Sequence, residues 1–190
     1  ILGEFVDKYW IMNAILDEMR VINDMCIAIG LPRLFRDTYG TYYTERPDGY
    51  NTLLLPTKKN YYDFVSVLEK LLVHNINIKV FLKDCGIIKS IERNDDDSNP
   101  KGSLVMLKEW MLKNVRADYD MEEVIINPLK NIRKIRQVPA HELYNNEFDV
   151  NLYDEQKTLV EDIYEAIYAL RRLFMGHPLA TSVKIPEALL

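Results

Sequence analysis

The chain has 190 residues, of which 48% are hydrophobic, and its formal net charge is −5. The length and hydrophobic content predict one globular domain, or one domain with a small appendage. The negative charge argues against a protein that coats nucleic acid nonspecifically, and the lack of an apolar run of roughly 18 residues argues against a membrane span. No signal peptide is recognisable, so we expect a cytoplasmic location; because the sequence starts at Ile1, we interpret it as a fragment of a longer protein.

The first half of the sequence predicts two helices separated by an irregular segment. Apolar residues recur at helical spacing over residues 4–29, and Gly30 and Pro32 follow as stop signals. Residues 31–59 are rich in tyrosine and interrupted by glycine and proline, which predicts loops with short extended pieces. A second helix is expected from about residue 60 to residue 82; the run at 74–77 weakens its middle, so an earlier end is also open. The polar segment 92–102 predicts a flexible loop.

The second half predicts three more helices, at about 104–115, about 121–138 and from residue 151 onwards. The last has the clearest signals, because Asn151 can cap its start and Gly176 and Pro178 follow its end. The predicted fold class is therefore all-α, a bundle of long helices with an irregular tyrosine-rich insertion. We divide the chain into an N-terminal helical segment with the loop-rich insertion, residues 1–102, and a helical region, residues 103–190, packed as one unit.

The cysteines and histidines do not form a recognisable metal-binding pattern. Cys26 and Cys85 lie far apart in apolar sequence, which favours free thiols over a disulfide. His74, His141 and His177 have none of the spacings typical of zinc enzymes. We expect no structural zinc and no cofactor.

One basic segment departs from the acidic average. Residues 124–140 contain no Asp or Glu, and they include four cations, Lys130, Arg133, Lys134 and Arg136. On a helix, residues three and four apart are neighbours, so we expect a positive stripe beside the apolar face. Such a stripe is typical of a surface that contacts RNA phosphates.

Pro139 is expected to break this helix, because proline lacks an N–H and clashes with the preceding turn. On an unbroken helix, Arg136 and His141 would point about 140° apart. The break is therefore expected to turn both side chains towards one cleft. An arginine can bind and neutralise a phosphate there, and a histidine can exchange a proton near neutral pH.

The run Arg136-Gln137-Val138-Pro139-Ala140-His141 resembles the motif of the HEPN superfamily. In that motif an arginine is followed directly by a polar residue, and a histidine comes after four to six intervening residues; here there are four. The resemblance covers about residues 103–177. It implies a metal-independent endoribonuclease whose domains dimerise and bring two motifs to a shared cleft.

The resemblance also implies roles for individual residues. His141 would transfer a proton while the RNA 2′-hydroxyl attacks the adjacent phosphate, Arg136 would hold that phosphate, and Gln137 would orient the phosphate or the histidine. We expect Lys130, Arg133 and Lys134 to bind RNA. The implied partners are RNA, a second copy of the chain, and an antitoxin or another domain of the full-length protein, in a toxin or antiviral-defence setting.

Two alternatives remain open from the sequence. The first is a catalytically inactive HEPN-like module that binds RNA, a nucleotide or a protein. The second is a plain dimerisation domain of a larger protein. Under either, Arg136 would be a solvated residue or pair with Glu142 or Glu147, which contributes little at a surface.

Overall fold

The structure is a computed structural model and describes residues 10–95, 98–141 and 146–189. The described part contains five α-helices: α1 (Ile11–Ile29), α2 (Lys58–Glu69), α3 (Ser103–Asn114), α4 (Asn127–His141) and α5 (Asn151–Met175). Two five-residue π turns adjoin them, Lys70–His74 directly after α2 and Glu122–Ile126 directly before α4. Short 3₁₀ turns occur at Tyr43–Glu45, Ile78–Val80, Pro178–Ser182 and Glu187–Leu189. No strand is present in these ranges, which confirms the all-α prediction.

One hydrophobic core is shared by all five helices. The long helices α1 and α5 pack against each other, and α2 packs against α4. The apolar stripe of α1 continues through its whole length because its spacing follows the helical repeat. Residues on both sides of position 102 contribute to this core, and none of the described helices is both long and apolar enough to cross a membrane.

A buried ion pair joins α1 to α5. Arg171 Nε donates a hydrogen bond of 2.5 Å to Glu18 Oε2, and the two side chains are 4% and 0% exposed. The Arg171 guanidinium also lies 4.9 Å from the centre of the Tyr168 ring. Burial raises the pKa of Glu18, and the contact with Arg171 opposes that rise. The pair therefore depends on Arg171 to keep a buried carboxylate charged.

Buried polar side chains hold the tyrosine-rich segment against the bundle. Asn23 exchanges two hydrogen bonds of 2.8 Å with the backbone of Phe35, and Gln156 bonds the backbone of Asn51 and of Leu53 at 3.0 Å. Tyr50 is fully buried and donates to the Met12 carbonyl at 3.1 Å. These contacts take the place of regular backbone pairing in a segment that has almost none.

The helix boundaries differ from the predictions at two places. The helical stretch expected over residues 60–82 ends at residue 74, the earlier end that the weak run left open. The side chain of Asn75 bonds the Asp37 backbone there, and the Asn77 amide donates to the Leu34 carbonyl. Side chains of this type compete with the helix for backbone partners. The expected cap at Asn151 is wrong: Asn151 is the first helical residue, and the carboxylate of Asp149 accepts its amide at 3.0 Å.

Other local predictions are confirmed. Gly30 ends α1 in the left-handed conformation, with φ of +92°, and α5 ends at Met175. Both cysteines are free; Cys26 is buried and Cys85 is half-buried. His177, which is not among these predictions, lies two residues beyond the end of α5, where its Nδ1 accepts the Leu179 amide.

Candidate functional site

A buried carboxylate meets two arginines where α2 packs against α4. Glu69 is the last residue of α2, and its side chain is 2% exposed. Arg133 Nε lies 3.5 Å from Oε1 of Glu69, and Arg136 Nε lies 3.4 Å from Oε2. These distances exceed those of a normal charge-assisted hydrogen bond. The carboxylate therefore positions the guanidiniums mainly by charge, while each arginine stays nearly half exposed.

His74 joins the same carboxylate through the π turn. Its Nε2 lies 3.4 Å from Oε1 of Glu69, and its ring is about half exposed. In an α-helix two residues five positions apart would differ by about 140° in direction. A π turn closes its hydrogen bonds between residues five apart, so the Lys70–His74 turn brings His74 to the side of Glu69. We call Glu69, His74, Arg133 and Arg136 the Glu69 cluster.

A cavity of about 600 Å³ opens beside His74. Arg36 spans its wall and donates a hydrogen bond to the His74 carbonyl. The charged residues that line it are of both signs: Arg36, Lys70, Asp37 and Asp48. Tyr39 also lines this cavity, and Tyr42 stands 75% exposed in the same segment.

The predicted break at Pro139 is wrong. Helix α4 continues through Pro139 to His141, so the missing proline N–H removes one helical hydrogen bond without ending the helix. Arg136 and His141 therefore occupy positions about 140° apart on one continuous helix. The side chain of His141 lies outside the described residues, as do positions 142–145. Since the helix does not break, a break does not bring Arg136 and His141 together within one chain.

The remaining predicted RNA-binding residues differ in their surroundings. Lys130 Nζ lies 2.9 Å from Oε1 of Glu122, which also binds Lys108. The hydrogen bonds from Lys108 and Lys130 lower the pKa of Glu122, so this carboxylate stays charged and offsets Lys130. Lys134 and Gln137 are exposed and make no side-chain hydrogen bond or ion pair among the described residues. The stripe is thus acid-free in sequence but is bordered by Glu69 and Glu122 in the fold.

Comparison of the chain with family models, with curated proteins and with solved structures finds no match. The similarity to HEPN domains therefore rests on the motif residues and on the helical context alone.

Sequence reasoning missed the part played by Glu69 and His74. No motif or spacing rule applied to the sequence predicts a functional role for His74 or for Glu69. The signal was the spacing of five residues between a glutamate and a histidine, which points to one face only if the helix widens into a π turn. No three His, Cys, Asp or Glu side chains are grouped as a metal-ligand set in the part of the chain that the structure describes.

Proposed function

We propose that the protein is a metal-independent endoribonuclease of HEPN type that acts on RNA phosphodiesters at Arg136. The observation that carries the proposal is the pair of half-exposed arginines oriented by the buried Glu69 carboxylate. Each arginine faces the carboxylate through Nε, and the Nη groups make no hydrogen bond among the described residues. Those Nη groups are the donors that grip phosphate oxygens in a bidentate fashion.

The proposed reaction uses the RNA itself as the nucleophile. The 2′-hydroxyl attacks the adjacent phosphorus, the bond to the 5′-oxygen of the next nucleotide breaks, and a cyclic phosphate and a free 5′-hydroxyl result. A base accepts the proton of the 2′-hydroxyl, and an acid gives a proton to the leaving oxygen. The arginines stabilise the charge that develops on the phosphate oxygens, and we assign proton transfer to His141.

The angle between Arg136 and His141 on α4 supports a site made by two copies of the chain. A cleft at a two-fold axis can combine Arg136 of one copy with His141 of the other, which a single straight helix does not bring together. We therefore propose a homodimer. RNA and a second copy are the partners required by this proposal, and an antitoxin is the partner expected if the protein acts as a toxin.

A complementation experiment tests the composite site. Arg136→Ala and His141→Ala should each slow cleavage of total RNA in EDTA by roughly 10²–10³-fold. In a mixed dimer of the two variants, one of the two sites keeps both residues. Because random mixing makes half of the dimers mixed, the mixture should recover about a quarter of the parent activity.

A control variant and a DNA substrate accompany this experiment. Arg33→Ala changes an exposed arginine away from the Glu69 cluster and should cleave like the parent, and DNA should stay intact because it lacks the 2′-hydroxyl. Cleavage by both motif variants at the parent rate would refute the proposal, as would a requirement for added metal. A mixture that stays inactive would refute the composite site, because Arg136 and His141 would then have to act within one chain.

The alternative is an inactive helical module that binds RNA through the same surface. The observation that favours it is the engagement of Arg136 by Glu69, since a cation already paired with a carboxylate is less available to a phosphate. This alternative would be supported if freshly prepared dimer binds RNA with an affinity that falls steeply with salt but does not cleave it.

A further inference from the structure

A second cavity, separate from the Glu69 cluster, lies where the C-terminal ends of α1, α3 and α5 meet. Its volume is about 280 Å³, just below the range of about 300–1,000 Å³ found for drug-sized ligands. Its apolar lining includes Ile29, Ile88, Trp110 and Phe174. The rings of Trp110 and Phe174 are stacked with centroids 5.6 Å apart. The lining is therefore suited to a flat, apolar group of modest size.

The polar side of this cavity is cationic. Arg116 and Arg172 both line it, and both also line an adjoining groove of about 430 Å³. Neither side chain makes an ion pair or hydrogen bond among the described residues. Among the residues that the structure describes, Asp118 is the one acidic residue that lines the groove, and none lines the cavity itself. Two guanidiniums that share a pocket without a carboxylate between them favour an anion.

His177 adds a donor at the same place. Its Nδ1 accepts the Leu179 amide at 3.2 Å, so a neutral His177 carries its proton on Nε2. The ring lines the cavity together with the two arginines.

The Trp110 ring forms a buried wall of this cavity. Trp110 is 3% exposed, and its indole Nε1 is closed off from solvent and makes no hydrogen bond with any described residue. A ligand in the cavity therefore meets the ring of Trp110 and not its N–H. The N–H remains a reporter, because a charged or aromatic group against the ring changes its surroundings.

We propose that this cavity binds a small planar anion, a single aromatic or heteroaromatic ring system that carries a carboxylate or a phosphate. The anionic group binds Arg116 and Arg172, and the ring contacts Trp110 and Phe174. The site shares no residue with the Glu69 cluster, and the proposal does not depend on the nuclease activity.

The two tryptophans of the chain make the test direct. A ¹⁵N-labelled sample gives one indole N–H signal for Trp10 and one for Trp110, and Trp10→Phe assigns them. Titration with indole-3-acetate and with phenyl phosphate should shift the Trp110 signal in a saturable way and leave the Trp10 signal in place. The anion that binds more tightly shows whether the site prefers a carboxylate or a phosphate. Uncharged indole-3-acetamide should bind about tenfold more weakly or worse.

Variants of the arginines complete the experiment. Arg116→Gln and Arg172→Gln should each weaken binding of the anions about tenfold, whereas Arg33→Gln, which removes an exposed arginine elsewhere, should bind like the parent. An unchanged Trp10 signal shows that each variant is folded. The proposal is overturned if neither anion moves the Trp110 signal up to about 10 mM, if the amide binds as well as the acid, or if both arginine variants bind like the parent.

Discussion

Replacement of Arg171 by methionine should destabilise the protein strongly, and more so at neutral than at acid pH. Methionine keeps much of the volume of the side chain but leaves the Glu18 carboxylate, which is 0% exposed, without its cation. Removal of one partner from a buried pair costs about 3–5 kcal/mol. For a chain of this length the melting temperature should fall by roughly 10 °C. Arg172→Met alters the exposed neighbour on the same helix and should change stability by less than about 0.5 kcal/mol.

The pH dependence follows from the pKa of Glu18, which burial raises above its ordinary value of 4.5. Such a carboxyl holds its proton more tightly when folded, so the free energy of unfolding falls as the pH rises from that ordinary value through the folded-state pKa. Arg171→Met raises the folded-state pKa further, because the opposing cation is gone. Urea unfolding near pH 5 should therefore show a smaller loss than at pH 8.

A second substitution separates charge from packing. In Glu18→Gln combined with Arg171→Met, the unpaired charge is absent, so much of the stability should return. The reasoning is refuted if Arg171→Met costs less than about 1 kcal/mol, if its effect is the same at both pH values, or if the double variant is no more stable than the single one.

Three further outcomes are expected. Glu69→Gln should tighten RNA binding at low salt, because a negative charge leaves the surface, while single-turnover cleavage slows about tenfold as the arginines lose their orientation; unchanged cleavage would contradict this. Lys134→Ala should reduce the slope of log K for RNA binding against log salt concentration by about 0.7. Lys130→Ala should reduce it by less, because Glu122 already offsets the charge of Lys130. Equal reductions in the two variants would contradict the pairing of Lys130 with Glu122. Gly30→Ala should lower the melting temperature by about 3 °C, since φ is +92° and a Cβ would lie 2.9 Å from the Cys85 sulfur; an unshifted melt would rule out that strain.

The fold class and most helix ends were predictable because local chemistry determines them. Gly30 ends α1 and the periodic apolar stripe carries α5 from Asn151 to Met175. The weak run at 74–77 left an early end of the second helix open, but its cause was not predictable, since Asn75 and Asn77 bond to backbone groups about forty residues away in sequence. Local propensity contains no information about such partners.

The candidate site was predictable only in part. The basic segment on α4 gave Arg133 and Arg136, but the carboxylate that they face belongs to another helix. The π turn that aligns His74 with Glu69 arises from tertiary packing and leaves no periodic signal in the sequence. The prediction of a break at Pro139 failed because the loss of one proline N–H, two residues before the last residue of α4, did not end the helix.

The burial of Glu69 also restricts the order in which this surface can change over evolutionary time. A substitution that first neutralises Glu69 leaves two arginines that water can still solvate, because each is nearly half exposed. A lineage that first loses both arginines keeps a carboxylate that is 2% exposed, with the half-exposed His74 as its remaining neighbour among the four. The intermediate of the first route is not strongly destabilised. The intermediate of the second route is, because it contains a buried charge without a full counter-charge. Descendants that abandon the cluster should therefore more often retain the arginines without the glutamate than the glutamate without the arginines.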